Sequence, residues 1–211
     1  DPDGLVSERV DVEINITSVN DVPTVSDKTV QATEQVAKTI TLSANDLDGD
    51  TLTYSIVSDP SNGTVTLDGA TVTYTSTSDT ATSDSFTFKV NDGTADSDIG
   101  KITINITAVN DKPVATAQTV TATEQTAKTI TLAGTDADGE TLTYSIVSNP
   151  SNGTVTLDGV TATYTSTSDT ASSDSFTFKV NDGTEDSDPA TVTINITNVI
   201  PDVSAISIDK N

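Results

Sequence analysis

Apolar residues alternate with Thr, Ser and Asp at every second position through much of the chain. Clear examples are residues 52–56, 86–90 and 102–106, and no segment shows the apolar spacing of a helix. Alternation of this kind is typical of β-strands that bury one face and expose the other. With about seven such runs in a segment of roughly 90 residues, the pattern predicts an all-β, seven-stranded Greek-key sandwich.

The chain repeats its own sequence at a fixed interval. The sequence Asp-Leu-Asp-Gly at residues 46–49 returns as Asp-Ala-Asp-Gly at 136–139, and Val-Asn-Asp-Gly at 90–93 returns unchanged at 180–183. A unit of about 90 residues is too long for one turn of a solenoid and fits an autonomous domain. We therefore predict these boundaries: residues 1–21, the last strand of a preceding repeat; 22–111, a first repeat; 112–201, a second repeat; 202–211, a linker or the start of a further domain.

The aromatic residues and two glycine-containing dipeptides fit this interpretation. All aromatic residues fall on the apolar positions of their strands: Tyr54, Tyr74, Phe86, Phe88, Tyr144, Tyr164, Phe176 and Phe178. We expect them in the core rather than on a ligand platform, because burying one ring contributes about 2 to 3 kcal/mol. Asn62-Gly63 and Asp68-Gly69 lie between strand patterns and predict hairpin turns with positive φ.

Composition excludes several classes of function. The chain has 32 acidic and 9 basic residues, a formal net charge of −23, and neither Cys nor His. Nucleic acid is excluded as a partner because its binding requires a basic surface. Disulfides and the commonest zinc ligands and general bases are missing, so we expect no enzyme. No apolar run reaches the roughly 20 residues that span a bilayer, so we expect no membrane insertion. The acidity indicates either a solvated surface or cation binding.

The acidic residues concentrate at predicted strand ends, where loops of one sandwich face the next. At the top of the first repeat, Asp46, Asp48 and Asp92 are expected near Asn20 and Asp21. The same geometry brings their equivalents in the second repeat to the linker, and the lower end of the first repeat adds two further acids. The predicted metal ligands are Asn20, Asp21, Glu34, Asp46, Asp48, Asp79, Asp92, Asn110, Asp111, Asp136, Asp138 and Asp182.

Such a cluster of carboxylates calls for a counter-charge. Two negative charges about 5 Å apart repel by roughly 3 kcal/mol at an effective dielectric constant of 20, so the cluster requires a cation or protonation. Ligand oxygens that are many and come from several loops favour Ca²⁺ over Mg²⁺. The Asp-x-Asp-Gly motif is also ordinary turn chemistry. It is not an EF-hand loop, because Thr51 and Val57 stand where that loop needs Gly and Glu.

Taken in order, these motifs resemble a known family. Glu34, the Asp-x-Asp-Gly of residues 46–49, the Asn-Asp-Gly of 91–93 and the Asn-Asp-x-Pro of 110–113 are similar to the calcium motifs of cadherin-type repeats. They are more similar still to the bacterial cadherin-like and Ig-like tandem repeats of large secreted, RTX-type surface adhesins. The resemblance covers nearly the whole chain. It implies that Ca²⁺ is bound by residues from both sides of each linker.

The resemblance has departures that bear on the number of ions. Thr107-Ala108 replaces an extra leading Asp of animal cadherin linkers, and Ser78-Asp79-Thr80 replaces an Asp-Arg-Glu motif. Fewer than three ions per junction are therefore expected. Residues 199–202 lack the Asn-Asp of the earlier linkers, so the junction after the second repeat is expected to hold less calcium.

The function implied is that of an extender. We predict calcium-rigidified repeats of a secreted protein on a bacterial cell surface, a monomer whose partners are its own neighbouring repeats. The alternative is a binding module, for surface glycans or for homophilic contact between cells in a biofilm. Against sugar binding, the strand pattern leaves no exposed aromatic residue to stack on a sugar ring.

Overall fold

The computed structural model describes residues 9–199 and shows an all-β protein. The described residues form eighteen strands and no helix. Spatial contacts divide the chain into two compact units, and the second includes two loops that lie early in the sequence. Within the described range, the first unit comprises residues 9–32, 37–75 and 83–105, and the second comprises residues 33–36, 76–82 and 106–199.

The first unit is built on nine strands that form two main sheets. The strands are β1 (Thr24–Val25), β2 (Lys28–Thr33), β3 (Lys38–Thr41), β4 (Ala44–Asn45), β5 (Thr53–Ser58), β6 (Gly63–Asp68), β7 (Thr71–Ser76), β8 (Ser83–Asn91) and β9 (Gly100–Thr107). One sheet has the order β2-β9-β8-β5 and the other β3-β7-β6, and β1 pairs with β4. The last residues of β2, β7 and β9 belong to the second unit.

The second unit repeats this topology. Its strands are β10 (Val114–Thr116), β11 (Gln118–Thr123), β12 (Lys128–Thr131), β13 (Ala133–Thr135), β14 (Thr143–Ser148), β15 (Gly153–Asp158), β16 (Thr161–Ser166), β17 (Ser173–Asn181) and β18 (Ala190–Thr197). The sheets have the orders β11-β18-β17-β14 and β12-β16-β15, with β10 beside β13. β11 runs parallel to β18, whereas β17 and β18 are antiparallel. The predicted seven strands per repeat are present, with the first two each split in two.

The core of each unit lies between the inward faces of its two main sheets. In the second unit, Ile130 and Tyr164 from one sheet pack in the same cluster as Phe178 and Ile194 from the other. The outward positions of β16 and β18 are mainly Thr, which gives the alternating burial along these two strands. The aromatic residues lie in the core as predicted, except that Tyr54 and Tyr144 are half-buried.

The two glycine dipeptides differ in role. Gly69 has φ of +55° between β6 and β7, so the predicted hairpin turn at Asp68-Gly69 is confirmed. The predicted turn at Asn62-Gly63 is wrong, because Gly63 is the first residue of β6 and its φ is not positive. Gly63 instead lies against the ring of Tyr74, where a Cβ would stand 2.5 Å from Cε2. A glycine is needed there for close packing rather than for backbone conformation.

A buried carboxylate anchors the loop before β15. Asp174 accepts hydrogen bonds from the backbone amides of Ser151 and Asn152, both at 2.9 Å, and from the Tyr164 hydroxyl at 2.9 Å. Asp84 makes the equivalent bonds in the first unit. Because both oxygens of the carboxylate have donors, the buried charge is compensated by hydrogen bonding.

The Tyr164 hydroxyl gives a testable dependence of stability on pH. Burial, and then the hydrogen bond to Asp174, raise the pKa of Tyr164 to about 12. Tyrosine in the unfolded chain ionises near pH 10, so this contribution to stability is complete below about pH 10 and is lost as pH rises towards 12. We expect Tyr164→Phe to show a smaller loss of unfolding free energy over that window, measured by urea denaturation. Equal losses in both chains would contradict this.

The segment before β1 is the one predicted to be the last strand of a preceding repeat. Residues 9–23 have no strand assignment, and Val12, Ile14 and Ile16 are exposed. A β-strand needs a partner for its backbone groups, and none pairs with this segment within residues 9–199. That residues 1–21 are the last strand of a preceding repeat stays a prediction. Residues 1–8 and the predicted linker at 202–211 lie outside the described residues.

Candidate metal centre

The loop between β13 and β14 carries the Asp-x-Asp-Gly motif of the second unit. The Oδ1 atom of Asp136 accepts hydrogen bonds from the backbone amides of Asp138 at 2.9 Å and Gly139 at 3.1 Å. Gly139 has φ of +81°, which closes the turn. These bonds use one oxygen of Asp136 for the turn and leave the other, Oδ2, buried with no hydrogen-bond donor. The motif therefore stabilises the turn through Oδ1 of Asp136 and leaves Oδ2 available to bind a cation.

The linker residues contact these loops in the way the sequence predicted. The backbone amide of Asp111 donates to Oδ2 of Asp138 at 2.7 Å, and the side-chain amide of Asn110 donates to Oδ2 of Asp182 at 3.0 Å. The first unit has the same two bonds in its own copies. There the backbone amide of Asp21 donates to Oδ2 of Asp48 at 2.7 Å, and the side-chain amide of Asn20 donates to Oδ2 of Asp92 at 2.9 Å.

The turn after β2 brings a buried glutamate into the second unit. The Glu34 amide donates to the carbonyl of Thr107 at 3.0 Å, and its Oε2 atom accepts from the amide of Val109 at 2.9 Å. Glu34 is 3% exposed, and its other oxygen, Oε1, has no hydrogen-bond partner. An ionised carboxylate oxygen buried without a donor or a cation is costly, because transfer from water is not compensated.

Within residues 9–199, three groups of acids each have side chains close enough together to bind one cation. Each residue in a group offers an oxygen within 4.8 Å of the others. The groups are Glu34, Asp79 and Asp111; Asp46, Asp48 and Asp50; and Asp136, Asp138 and Glu140. The first and third lie in the second unit and the second lies in the first unit. All of the side chains in these groups offer hard oxygen donors, which fits Ca²⁺ or Mg²⁺ rather than a softer transition metal.

The electrostatics of the second unit show the same crowding of negative charge. Burial, and then the negative charges of Asp138, Asp79 and Asp136, raise the pKa of Asp111. Asp111 therefore experiences carboxylates of two different groups. A hydrogen bond with Asp136, then burial and the negative charges of Asp138 and Asp136, raise the pKa of Glu140, so Glu140 is crowded by the other two acids of its group. A cation would relieve both effects at once.

Asp92 and Asp182 lie outside these groups of acids within the described residues. Hydrogen bonds from the backbone amide of Glu185, then from Asn110 and the amide of Thr184, lower the pKa of Asp182. The corresponding bonds from Ala95, Asn20 and Thr94 lower the pKa of Asp92. The structure therefore places both residues beside the linker as acceptors whose oxygens already have donors. Whether either also binds a metal stays a prediction.

These groups contain seven of the predicted ligands, Glu34, Asp46, Asp48, Asp79, Asp111, Asp136 and Asp138, and two acids that the prediction omitted join them. Asp21 lies outside the groups within the described residues, and it contacts the loop of Asp48 through its backbone amide, as Asn20 and Asn110 contact Asp92 and Asp182 through their side chains. Asp50 and Glu140 stand at equivalent positions, two residues after the second Asp of each motif. Their place in both repeats was a signal that could have identified them. That these residues bind metal stays a prediction, but the donor set fits a calcium ion and Glu34 supplies a buried oxygen without any other partner.

Comparison with known proteins identifies the family. A bacterial Ig domain model matches residues 20–105 and again residues 110–195. The chain therefore belongs to the bacterial Ig domain family, as two tandem copies.

No helix in the described part of the chain is long and apolar enough to cross a bilayer.

Several solved structures share the fold. The chain superposes on mouse cadherin-23 EC22-24 with a TM-score of 0.54 and 17% identity, covering 86% of this chain and 68% of that one. It superposes on human mucin-like protocadherin EC1-2 with a TM-score of 0.53 and 14% identity, covering 84% and 98%. At these identities the likeness shows the fold alone, which is that of tandem cadherin-like sandwiches.

A curated relative is similar in sequence. The chain is 30% identical over 214 aligned positions to integrin beta-like protein A of Dictyostelium discoideum. The alignment takes in 82% of this chain but 11% of that protein, so the chain spans about a tenth of the relative's length.

Proposed function

We propose that this chain is a calcium-rigidified extender, a pair of repeats within a secreted adhesin on a bacterial surface. In this proposal the repeats hold a distal binding domain away from the cell and bind Ca²⁺ where one repeat follows the next. Each repeat has its neighbours in the same chain as partners, and the chain is a monomer. The match to a protein named integrin beta-like, together with the cadherin-like fold, supports an adhesion context.

The group formed by Glu34, Asp79 and Asp111 carries the proposal. Glu34 and Asp79 come from the loops of the first sequence repeat, and Asp111 comes from the linker to the second. One oxygen of Glu34 is buried without a partner, and burial, followed by the charges of its acidic neighbours, raises the pKa of Asp111. An ion bound by all three would join the loops to the linker. Without it, their charges repel one another.

Calcium suits the proposed setting as well as the ligands. Extracellular calcium modules bind with dissociation constants of about 10⁻⁴ to 10⁻³ M, so millimolar calcium outside the cell would load the site. Binding to the ordered state alone adds stability in proportion to the logarithm of the ligand concentration. At one hundred times the dissociation constant the gain is about 2.7 kcal/mol.

Chelation tests this mechanism directly. We expect EDTA to lower the melting temperature and to increase the spread of interdomain distances in solution X-ray scattering, and excess Ca²⁺ to reverse both. Mg²⁺ at the same concentration is the control for ionic strength and is expected to have a smaller effect, because it retains its water ligands. Identical melting and scattering curves in EDTA and in calcium would refute the proposal.

A matched pair of variants locates the effect. Glu34→Gln keeps the shape of the buried side chain and removes its charge, so most of the calcium-dependent rise in melting temperature is expected to disappear. Glu124 makes the equivalent hydrogen bond to the Val199 amide at 3.1 Å, yet no third acid joins it within the described residues. Glu124→Gln is therefore expected to leave the calcium response nearly unchanged.

A further inference from the structure

The turn that holds Glu34 contains a residue in an uncommon backbone conformation. Gln35 has φ of +54°, and the equivalent Gln125 has φ of +53°. No other non-glycine residue within residues 9–199 has a positive φ. This region costs an L-residue about 1 kcal/mol, and Gly or Asn would occupy it more easily. The turn alone does not explain glutamine at both positions. We infer that the glutamine side chain has a role of its own at the site.

The side chain of Gln35 lies among the acids of the candidate metal centre. Its Nε2 atom donates to Oδ1 of Asp79 at 3.0 Å and stands 3.5 Å from Oδ2 of Asp111. Gln125 repeats the first of these bonds, to Oδ1 of Asp169 at 2.6 Å. In each repeat the amide nitrogen therefore lies against a carboxylate of a second loop, the one between β7 and β8 in the first repeat and between β16 and β17 in the second.

Glu34 and Gln35 line the same cavity. The cavity has a volume of about 230 Å³ and is lined by Glu34, Gln35, Val36, Val109 and Asp111. A water molecule takes about 30 Å³ of liquid volume, so the cavity has room for a cation with some of its water. Glu34 is 3% exposed, and its Oε1 atom has no donor. The amide donates to Asp79 and Asp111 but does not reach Oε1 of Glu34, which has no donor.

We propose that the Gln35 carboxamide is a two-position latch of the metal centre, an inference that rests on the proposed calcium function. In the metal-free chain its NH₂ group donates to Asp79 and Asp111 and lowers their repulsion without adding charge. When the ion binds, the carboxylate oxygens turn to the metal and the amide rotates by half a turn. Its carbonyl oxygen, Oε1, then becomes a ligand.

The chemistry of the amide permits both positions. The carboxamide carries its donor and its acceptor on the same carbon, and rotation about the last side-chain torsion exchanges them at little energetic cost. Glutamine carbonyl oxygens are ordinary calcium ligands. A glutamate here would add to the repulsion of the metal-free state. A lysine would neutralise the acids permanently and would compete with the ion.

Two substitutions separate the latch from a purely structural turn. Gln35→Ala removes the amide, while alanine and glutamine have a similar energetic cost at positive φ. We therefore expect a lower melting temperature in EDTA and about tenfold weaker calcium binding by calorimetry. Gln35→Lys is expected to melt higher than wild type in EDTA and to lose most of its calcium response. Gln125→Ala is the matched control and should bind calcium as wild type does.

A direct readout of the amide completes the test. In ¹⁵N-labelled protein, the side-chain NH₂ signals of Gln35 are expected to shift and to exchange faster with solvent when Ca²⁺ is added. Unchanged NH₂ signals, or wild-type calcium affinity in Gln35→Ala, would overturn the latch while leaving the calcium function intact. A wild-type chain that binds no calcium would overturn the proposed function as well.

Discussion

Gly63→Ala is expected to destabilise the first repeat by about 3 kcal/mol, the upper part of the range for overpacked cores. The added Cβ would stand 2.5 Å from Cε2 of Tyr74 and 2.6 Å from the backbone oxygen of Thr75. Neither can move easily, because Thr75 lies within β7 and the Tyr74 hydroxyl donates to buried Asp84 at 3.0 Å. Urea denaturation followed by circular dichroism would measure the loss.

Gly69→Ala separates close packing from backbone strain. Gly69 has φ of +55°, but no atom lies within 4 Å of a Cβ placed there, so the substitution is expected to cost only about 1 kcal/mol. Gly153 repeats the close packing in the second unit, at 2.5 Å from Cε2 of Tyr164. Gly153→Ala should therefore resemble Gly63→Ala. Equal losses in Gly63→Ala and Gly69→Ala would show that the clash is relieved by movement.

The fold could be predicted because it depends on a local signal repeated many times. Alternation of apolar and hydroxyl residues marks each strand and its buried face. The two glycine-containing dipeptides could not be distinguished by such a local pattern. Asn62-Gly63 and Asp68-Gly69 look alike as turn signals, but only Gly69 has a positive φ. The role of Gly63 depends on the ring of Tyr74 across the sheet, which no local pattern contains.

Most of the acids of the candidate site could be predicted from the sequence, but their arrangement could not. Loops at one end of a sandwich must meet, so the approach of Asp111 to Asp138 followed from the order of the strands. The sequence could not show that both oxygens of Asp182 already accept hydrogen bonds, because that depends on the path of the loop at 182–185. Nor could it show that Gln35 points into the cluster, since that follows from an uncommon φ.

Asp111→Asn is expected to have opposite effects on stability with and without calcium. Burial and three neighbouring acids raise the pKa of Asp111, so its charged form is disfavoured in the folded, metal-free chain. A raised folded-state pKa means that the stabilising contribution is present at low pH and is lost as pH rises through that pKa. At pH 7 in EDTA, Asn keeps the shape without the charge and should raise the melting temperature by several degrees. In calcium the lost ligand should weaken binding by about 10- to 100-fold and lower the melting temperature.

The control for Asp111→Asn is an acid of the same unit whose charge is already compensated. Hydrogen bonds from Lys179 and then Asn181 lower the pKa of Asp186, so its contribution is present at neutral pH and is lost as pH falls. Asp186→Asn should therefore melt lower than wild type both in EDTA and in calcium. The advantage of Asp111→Asn in EDTA should vanish as the buffer is acidified and Asp111 is protonated in the wild type. If Asp111→Asn instead behaves like Asp186→Asn in EDTA, the acidic cluster is balanced without a metal, and calcium is not what joins the linker to the loops.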